Sequence, residues 1–297
     1  MQHHDFPSSP LESAGHCLRC SVPGASLWQA RRAFLRLGGA AALAGAGGSA
    51  LAQVDVGSGS RLRQLVPAQT LEEAATGQYQ ELLAKAKAQG ALAPPGNPQL
   101  KRLHVIAQRL IPYAASWNER ARSWRWEVNL IGSQEINAFC MPGGKIAFYT
   151  GILDKLALTD DEAAMIMGHE MAHALREHSR EQLAKSQATN IGLSLGAQLL
   201  GLGDLGNAAA KMGAQLLSLQ FSRSDESDAD LVGLEIAARA GYNPQASVTL
   251  WEKMGKATGG SGGGLAFLST HPSGPDRIRE LQRNVPKVDG LYRQARK

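Results

Sequence analysis

The stretch Met167 to Ser179, Met-Gly-His-Glu-Met-Ala-His-Ala-Leu-Arg-Glu-His-Ser, limits the fold more than any other part of the chain. It contains the pattern HExxH. Residues four apart share one face of a helix, so His169 and His173 can offer two imidazoles to a single metal ion while Glu170 acts on water beside them. The pattern therefore points to metal-assisted hydrolysis, provided that the stretch is helical. Thr159-Asp160-Asp161-Glu162 is a capping box that would start such a helix, and its acidic first turn suits the helix dipole. Ala163, Met165, Ile166 and Met167 make the approach apolar and place HExxH about two turns inside a buried helix. Unpaired polar groups are costly in an apolar wall, so burial itself argues for a bound metal. His178, five residues after His173, falls on another face and is expected in solvent.

Two histidines leave a catalytic zinc one protein ligand short. Ser222-Arg223-Ser224-Asp225-Glu226-Ser227-Asp228-Ala229-Asp230 opens a further helix in which Glu226 and Asp230 are four apart. Glu226 can complete the site, and Asp230 can accept a hydrogen bond from a ligand histidine.

The remaining pattern is α+β and mostly helical. Helices are expected over Leu71 to Gln89, with Thr70 as cap and Glu73 in a capping box, and over Gln99 to Ile111. Between them and the HExxH helix lie three strand signals: Trp126 to Ile131, Ala138 to Met141 and Lys145 to Thr150. Pro142-Gly143-Gly144 reads as the turn of a hairpin. This small sheet would flank the cleft, and an edge strand formed by Lys145, Ile146, Ala147 and Phe148 could pair with an extended peptide substrate. Asn137, at the start of the region, is expected to hold backbone geometry there. Ile191 to Phe221 is a Gly-interrupted apolar stretch with a bend at Leu199 to Leu205, a lid or a membrane-touching surface whose arms are too short to span a bilayer.

The first 52 residues read as an export address. Arg31-Arg32-Ala33-Phe34-Leu35-Arg36 is a twin-arginine pattern, followed by an uncharged run to Ala50-Leu51-Ala52, an A-x-A cleavage signal. A periplasmic or exported protein is expected, by this route or by the general secretory one. Residues 53–70 are expected as a flexible lead-in and 71–297 as the metal-dependent domain. Cleavage removes Cys17 and Cys20, leaving Cys140 without a disulfide partner. The residue after the cleavage point is Gln53, which argues against a lipid anchor. A net charge of +5, spread over a chain with 26 acidic residues, offers no footprint for nucleic acid.

Together these pieces resemble the zinc metallopeptidases that include HtpX, BepA and the CAAX prenyl proteases, peptidase family M48. The resemblance rests on Asn137-Ala138-Phe139 with Pro142-Gly143-Gly144, Thr150-Gly151, Gly168 to His173, Phe221-Ser222-Arg223 before Glu226 and Asp230, and Thr270-His271-Pro272 with Arg277-Ile278. It covers about Leu71 to Leu281 and implies a zincin-like fold with one zinc per subunit, His169, His173 and Glu226 as ligands and Glu170 as general base. His271 is by the same resemblance an extra ligand in a resting form or a donor to the transition state; a loop-capping role is the third reading. Arg277 would assist nearby, and the glycines from Gly259 to Gly264 would let the His271 loop move. The implied substrates are polypeptides, unfolded or misassembled envelope and outer-membrane proteins, with peripheral membrane contact. The chain ends soon after these motifs, so neither the helical repeats of BepA-like members nor the membrane helices of HtpX are expected. An envelope chaperone using the same cleft, another zinc amide hydrolase and an inactive interaction module are the alternatives.

Overall fold

Pro67 follows a lead-in that contains a short 3-10 helix, Arg61–Leu65, and it caps the first long helix, α1 (Ala68–Ala88). The computed structural model describes residues 54–193, 216–259, 266–271 and 275–297, and their fold is α+β and mostly helical. Thr70 lies inside α1 rather than capping it, because Ala68 and Gln69 extend the helix back to the proline. Helix α2 (Pro98–Leu110) is capped by Asn97, whose side chain accepts from Gln99 N and Leu100 N at 2.9 and 3.1 Å. Strands β1 (Glu127–Ile131), β2 (Ala138–Met141) and β3 (Lys145–Tyr149) follow. Helices α3 (Thr150–Lys155), α4 (Asp160–Leu175), α5 (His178–Leu193), α6 (Arg223–Arg239), α7 (Ala246–Gly259), α8 (Ala266–Thr270) and α9 (Pro275–Ala295) complete the described chain.

The sheet has the order β1-β3-β2, with β1 parallel and β2 antiparallel to β3. The hairpin between β2 and β3 turns through Gly143 and Gly144, at φ +82° and +76°, a region that costs a side chain strain. Side chains alternate along β3: Ile146 and Phe148 join the main core with α4 and α6, while Ala147 faces the core under α1. Being central and covered on both faces, β3 is nearly all buried. This corrects the expected edge strand. Lys145 to Phe148 pair on both sides, so they have no free backbone for a peptide, and the edge beside the HExxH helix is β2.

Helix α4 starts on the expected capping box, with Thr159 accepting from Glu162 N and Glu162 accepting from Thr159 N. Every residue from Glu162 to Leu175 is buried, because α4 runs through the middle of the core. Its closest neighbour is α6. The two cross at Gly168 and Gly233, where a Cβ on Gly233 would stand 2.6 Å from His169 N and one on Gly168 2.8 Å from Gly233 O. Only glycine allows this approach. The lead-in is docked rather than free: Val54 is buried with its N–H donating to Glu235, and Ser60 N donates to Glu181 at 3.0 Å.

The expected export segment and most of the apolar stretch, residues 194–215, lie outside the described residues. Among the described residues no helix is long and apolar enough to cross a membrane. The crossing gives a direct test. Gly233→Ala forces the helices apart and should lower stability by about 1–3 kcal/mol, read as an earlier urea midpoint.

Candidate metal centre

Helix α4 presents His169 and His173 on one face, with their Nε2 atoms 3.1 Å apart. From α6, Glu226 places Oε2 3.5 Å from His169 Nε2 and Oε1 3.4 Å from His173 Nε2. His271, just past α8, adds Nδ1 at 3.4 Å from His169 Nε2 and 3.0 Å from Glu226 Oε1. All four residues are buried and their donor atoms lie within 4.8 Å of one another. Zinc with ligands at 2.0–2.1 Å has its tetrahedral donors about 3.3–3.4 Å apart, so this donor set has the size and the N/O chemistry of a zinc site. Aromatic rings hold the imidazoles from outside. Phe221 lies 4.0 Å from His173 between ring centroids, and Phe267 stacks on His271 at 4.5 Å.

Behind the ligands, Asp230 Oδ1 lies 3.0 Å from His169 Nδ1, where a carboxylate favours the tautomer with its proton on Nδ1 and Nε2 free to bind. Arg277 clamps both carboxylates: Nε and Nη2 reach Asp230 at 2.7 and 2.8 Å, and Nη1 lies 2.7 Å from Glu226 Oε2. Its guanidinium also stacks over Trp251, 3.7 Å from the ring centre. The structure thus puts Arg277 behind the ligands, where it orients them, and not in the cleft. Burial pushes the Glu226 and Asp230 carboxyls up, but His169, His173 and His271 outweigh it at Glu226, and Arg277 with His169 outweighs it at Asp230, so both lie below the ordinary range. For His169, burial is likewise outweighed by Asp230 and Glu226, which raise it to about 9, whereas burial dominates at His173 and lowers it.

Glu170 points to the other side. Its Oε1 is buried without a hydrogen bond among the described residues and lies 3.7 Å from His271 Nε2. Burial raises its carboxyl above the usual value, with the neighbouring histidines pulling it back, which suits a base working near neutral pH. Glu170, His173 and His271 border a narrow cleft that Asn137 to Pro142 also line. Asn137 therefore lines the cleft, and its carbonyl accepts from Tyr149 N at 3.0 Å. Lys145, Ile146, Ala147 and Phe148 do not line it: the first hydrogen-bonds to the Arg125 carbonyl and the others are core residues.

His178 is not in solvent but 4% exposed, with Nδ1 3.0 Å from His173 Nδ1. Helical spacing misplaces it because α4 ends at Leu175 and Glu177 adopts φ +60°, which turns the chain back under His173. The sequence reading also passes over Asp228, Arg176 and Trp251. Asp228 carries a signal in retrospect, as a third carboxylate between Glu226 and Asp230 at the start of α6; it meets Arg176 Nε at 2.7 Å and His178 Nε2 at 3.3 Å. The glycines expected to free the His271 loop fall mostly on residues 260–265, outside the described ones.

A buried His-His-Glu donor set with a carboxylate base on the same HExxH helix defines the zincin class of metal-dependent hydrolases. Residues 98–285 match peptidase family M48, and the chain belongs to that family, whose metal is zinc. It is 39% identical to mitochondrial metalloendopeptidase OMA1 of Schizosaccharomyces pombe over 165 residues, 55% of this chain and 48% of that protein. It is 28% identical to the metalloprotease LoiP of Escherichia coli over 214 residues, 71% of this chain and 79% of LoiP. The Escherichia coli β-barrel assembly-enhancing protease is 27% identical over 175 residues, 56% of this chain and 36% of that one. This chain spans about half the length of the first of these relatives. If Asp230 orients His169 as the geometry indicates, Asp230→Asn should weaken zinc binding about 10–100-fold in competition with a chelator.

Proposed function

We propose that this protein is a zinc-dependent endopeptidase that cleaves internal peptide bonds of unfolded or misassembled proteins in the cell envelope. The observation that carries the reading is the meeting of three metal donors, His169, His173 and Glu226, with the base Glu170 at the wall of a cleft whose other wall is an edge strand. Zinc held there would supply Lewis acidity toward a carbonyl and make water acidic enough to ionise near neutral pH. Glu170 Oε1 accepts the proton of the attacking water and returns it to the amine as the peptide bond breaks. The edge of β2 gives an extended chain a backbone ladder to join, which favours peptides over compact substrates. Phe139, Leu216, Leu219 and Phe221 line the same cleft and suit the apolar side chains that unfolded proteins expose.

The envelope setting rests on Arg31, Arg32 and the Ala50-Leu51-Ala52 signal. It is in keeping with a relative named for β-barrel assembly. Among the readings of His271, the resting ligand is favoured: four protein donors close a zinc site, and a catalytic site keeps one place open. His271 must then withdraw before water and substrate enter.

Glu170→Gln should keep one zinc per chain while cutting cleavage of an unfolded protein at least ~100-fold. Undiminished cleavage would remove Glu170 from the mechanism, and zinc binding with no cleavage by the wild type would favour the chaperone reading. His271→Ala should retain zinc and raise the cleavage rate. A lower rate at unchanged zinc content would instead assign His271 to the transition state.

A further inference from the structure

We propose that His178 is a positioning residue for the metal ligand His173, acting through a relay that runs on to Asp228 and Arg176. The inference rests on the zinc reading of the site and concerns residues that it does not use. His173 turns Nε2 into the donor cluster, so in its neutral, ligating form the ring proton sits on Nδ1. That nitrogen lies 3.0 Å from His178 Nδ1 and donates to it. His178 must then accept at Nδ1, which puts its own proton on Nε2, 3.3 Å from Asp228 Oδ2. The same oxygen accepts from Arg176 Nε at 2.7 Å, and Arg176 also donates to the carbonyl of Gly57 in the docked lead-in. Each proton in the row is set by the one before it. A His178 ring in the other tautomer would aim one N–H at another.

The local folding serves this arrangement. Arg176 is the C-cap of α4, and the left-handed Glu177 turns His178 back beneath the helix end, where it is buried. Asp228 meets it from the neighbouring helix α6. Two zinc ligands thus have comparable supports from one helix. Asp230, gripped by Arg277, holds His169 directly, and Asp228, gripped by Arg176, holds His173 through one intervening imidazole. Partners of this kind fix a ligand ring and its tautomer.

The test uses the full chain with zinc and, for spectroscopy, with cobalt in its place. One zinc per wild-type chain is measured first; its absence overturns the metal reading and the relay with it. In the cobalt protein, proton NMR should show the His173 Nδ1–H as a shifted resonance that exchanges slowly with water. In His178→Ala that resonance should be lost to exchange, and zinc should pass to a chelator about 10–100-fold faster. His178→Gln can accept with its amide oxygen and donate to Asp228 with its nitrogen, so it should preserve the resonance and slow zinc release relative to His178→Ala. Wild-type exchange and release in His178→Ala, or equal loss in the Gln and Ala variants, overturns the proposal. Should His178→Ala fail to fold by circular dichroism with zinc present, Asp228→Asn decides: faster zinc release supports the relay, and an unchanged rate overturns it.

Discussion

Everything at the centre of this molecule depends on two backbones touching. Gly168 precedes the first histidine of HExxH, and Gly233 lies one and two turns beyond Asp230 and Glu226 on the neighbouring helix. Without side chains at these two positions the helices approach until each backbone is the other's packing surface. That separation lets Glu226 reach the donor cluster and Asp230 reach the back of His169. Helices at the usual 8–10 Å spacing would leave both carboxylates short of the histidines.

The close crossing also creates an electrostatic problem that the site answers with pairing. Two carboxylates, three histidines and an arginine lie buried around it. Buried charges of one sign are tolerated only when partners and hydrogen bonds surround them. Arg277 meets both carboxylates at once, and its flat face is covered by Trp251. What remains is a set of lone pairs directed at one point, the condition a divalent cation satisfies. Glu170 is left out of this pairing, and its carboxyl is raised by burial, which separates its chemistry from that of Glu226 although both are glutamates in one core.

The sheet has a supporting part. Its central strand β3 is locked between two neighbours and two layers of helices, which makes the sheet rigid and leaves β2 as the strand that borders the cleft. A peptide laid along β2 would run past Glu170 and His173. His271 stands in the donor set at the border of the same cleft.

Local chemistry was legible in the sequence. HExxH needs only helical periodicity to bring His169 and His173 together, the capping box at Thr159 and the polar run from Ser222 mark where the two helices begin, and a four-residue spacing pairs Glu226 with Asp230. The three strands and the Gly143-Gly144 turn were legible for the same reason, since alternation and turn residues act over a few positions. Strand order was not, because which neighbour a strand takes depends on backbone pairing between residues distant in sequence, and so Lys145 to Phe148 proved central rather than peripheral. His178 was hidden for a related reason: a single left-handed residue, Glu177, ends the helical rule that would place it in solvent. The sequence by itself determined the donor types and the helices that carry them, through contacts within a few residues. Only the tertiary structure decided how those helices meet, where His178 and Arg277 lie against the ligands, and which strand faces the cleft, because each depends on how the backbone turns and packs beyond the reach of local periodicity.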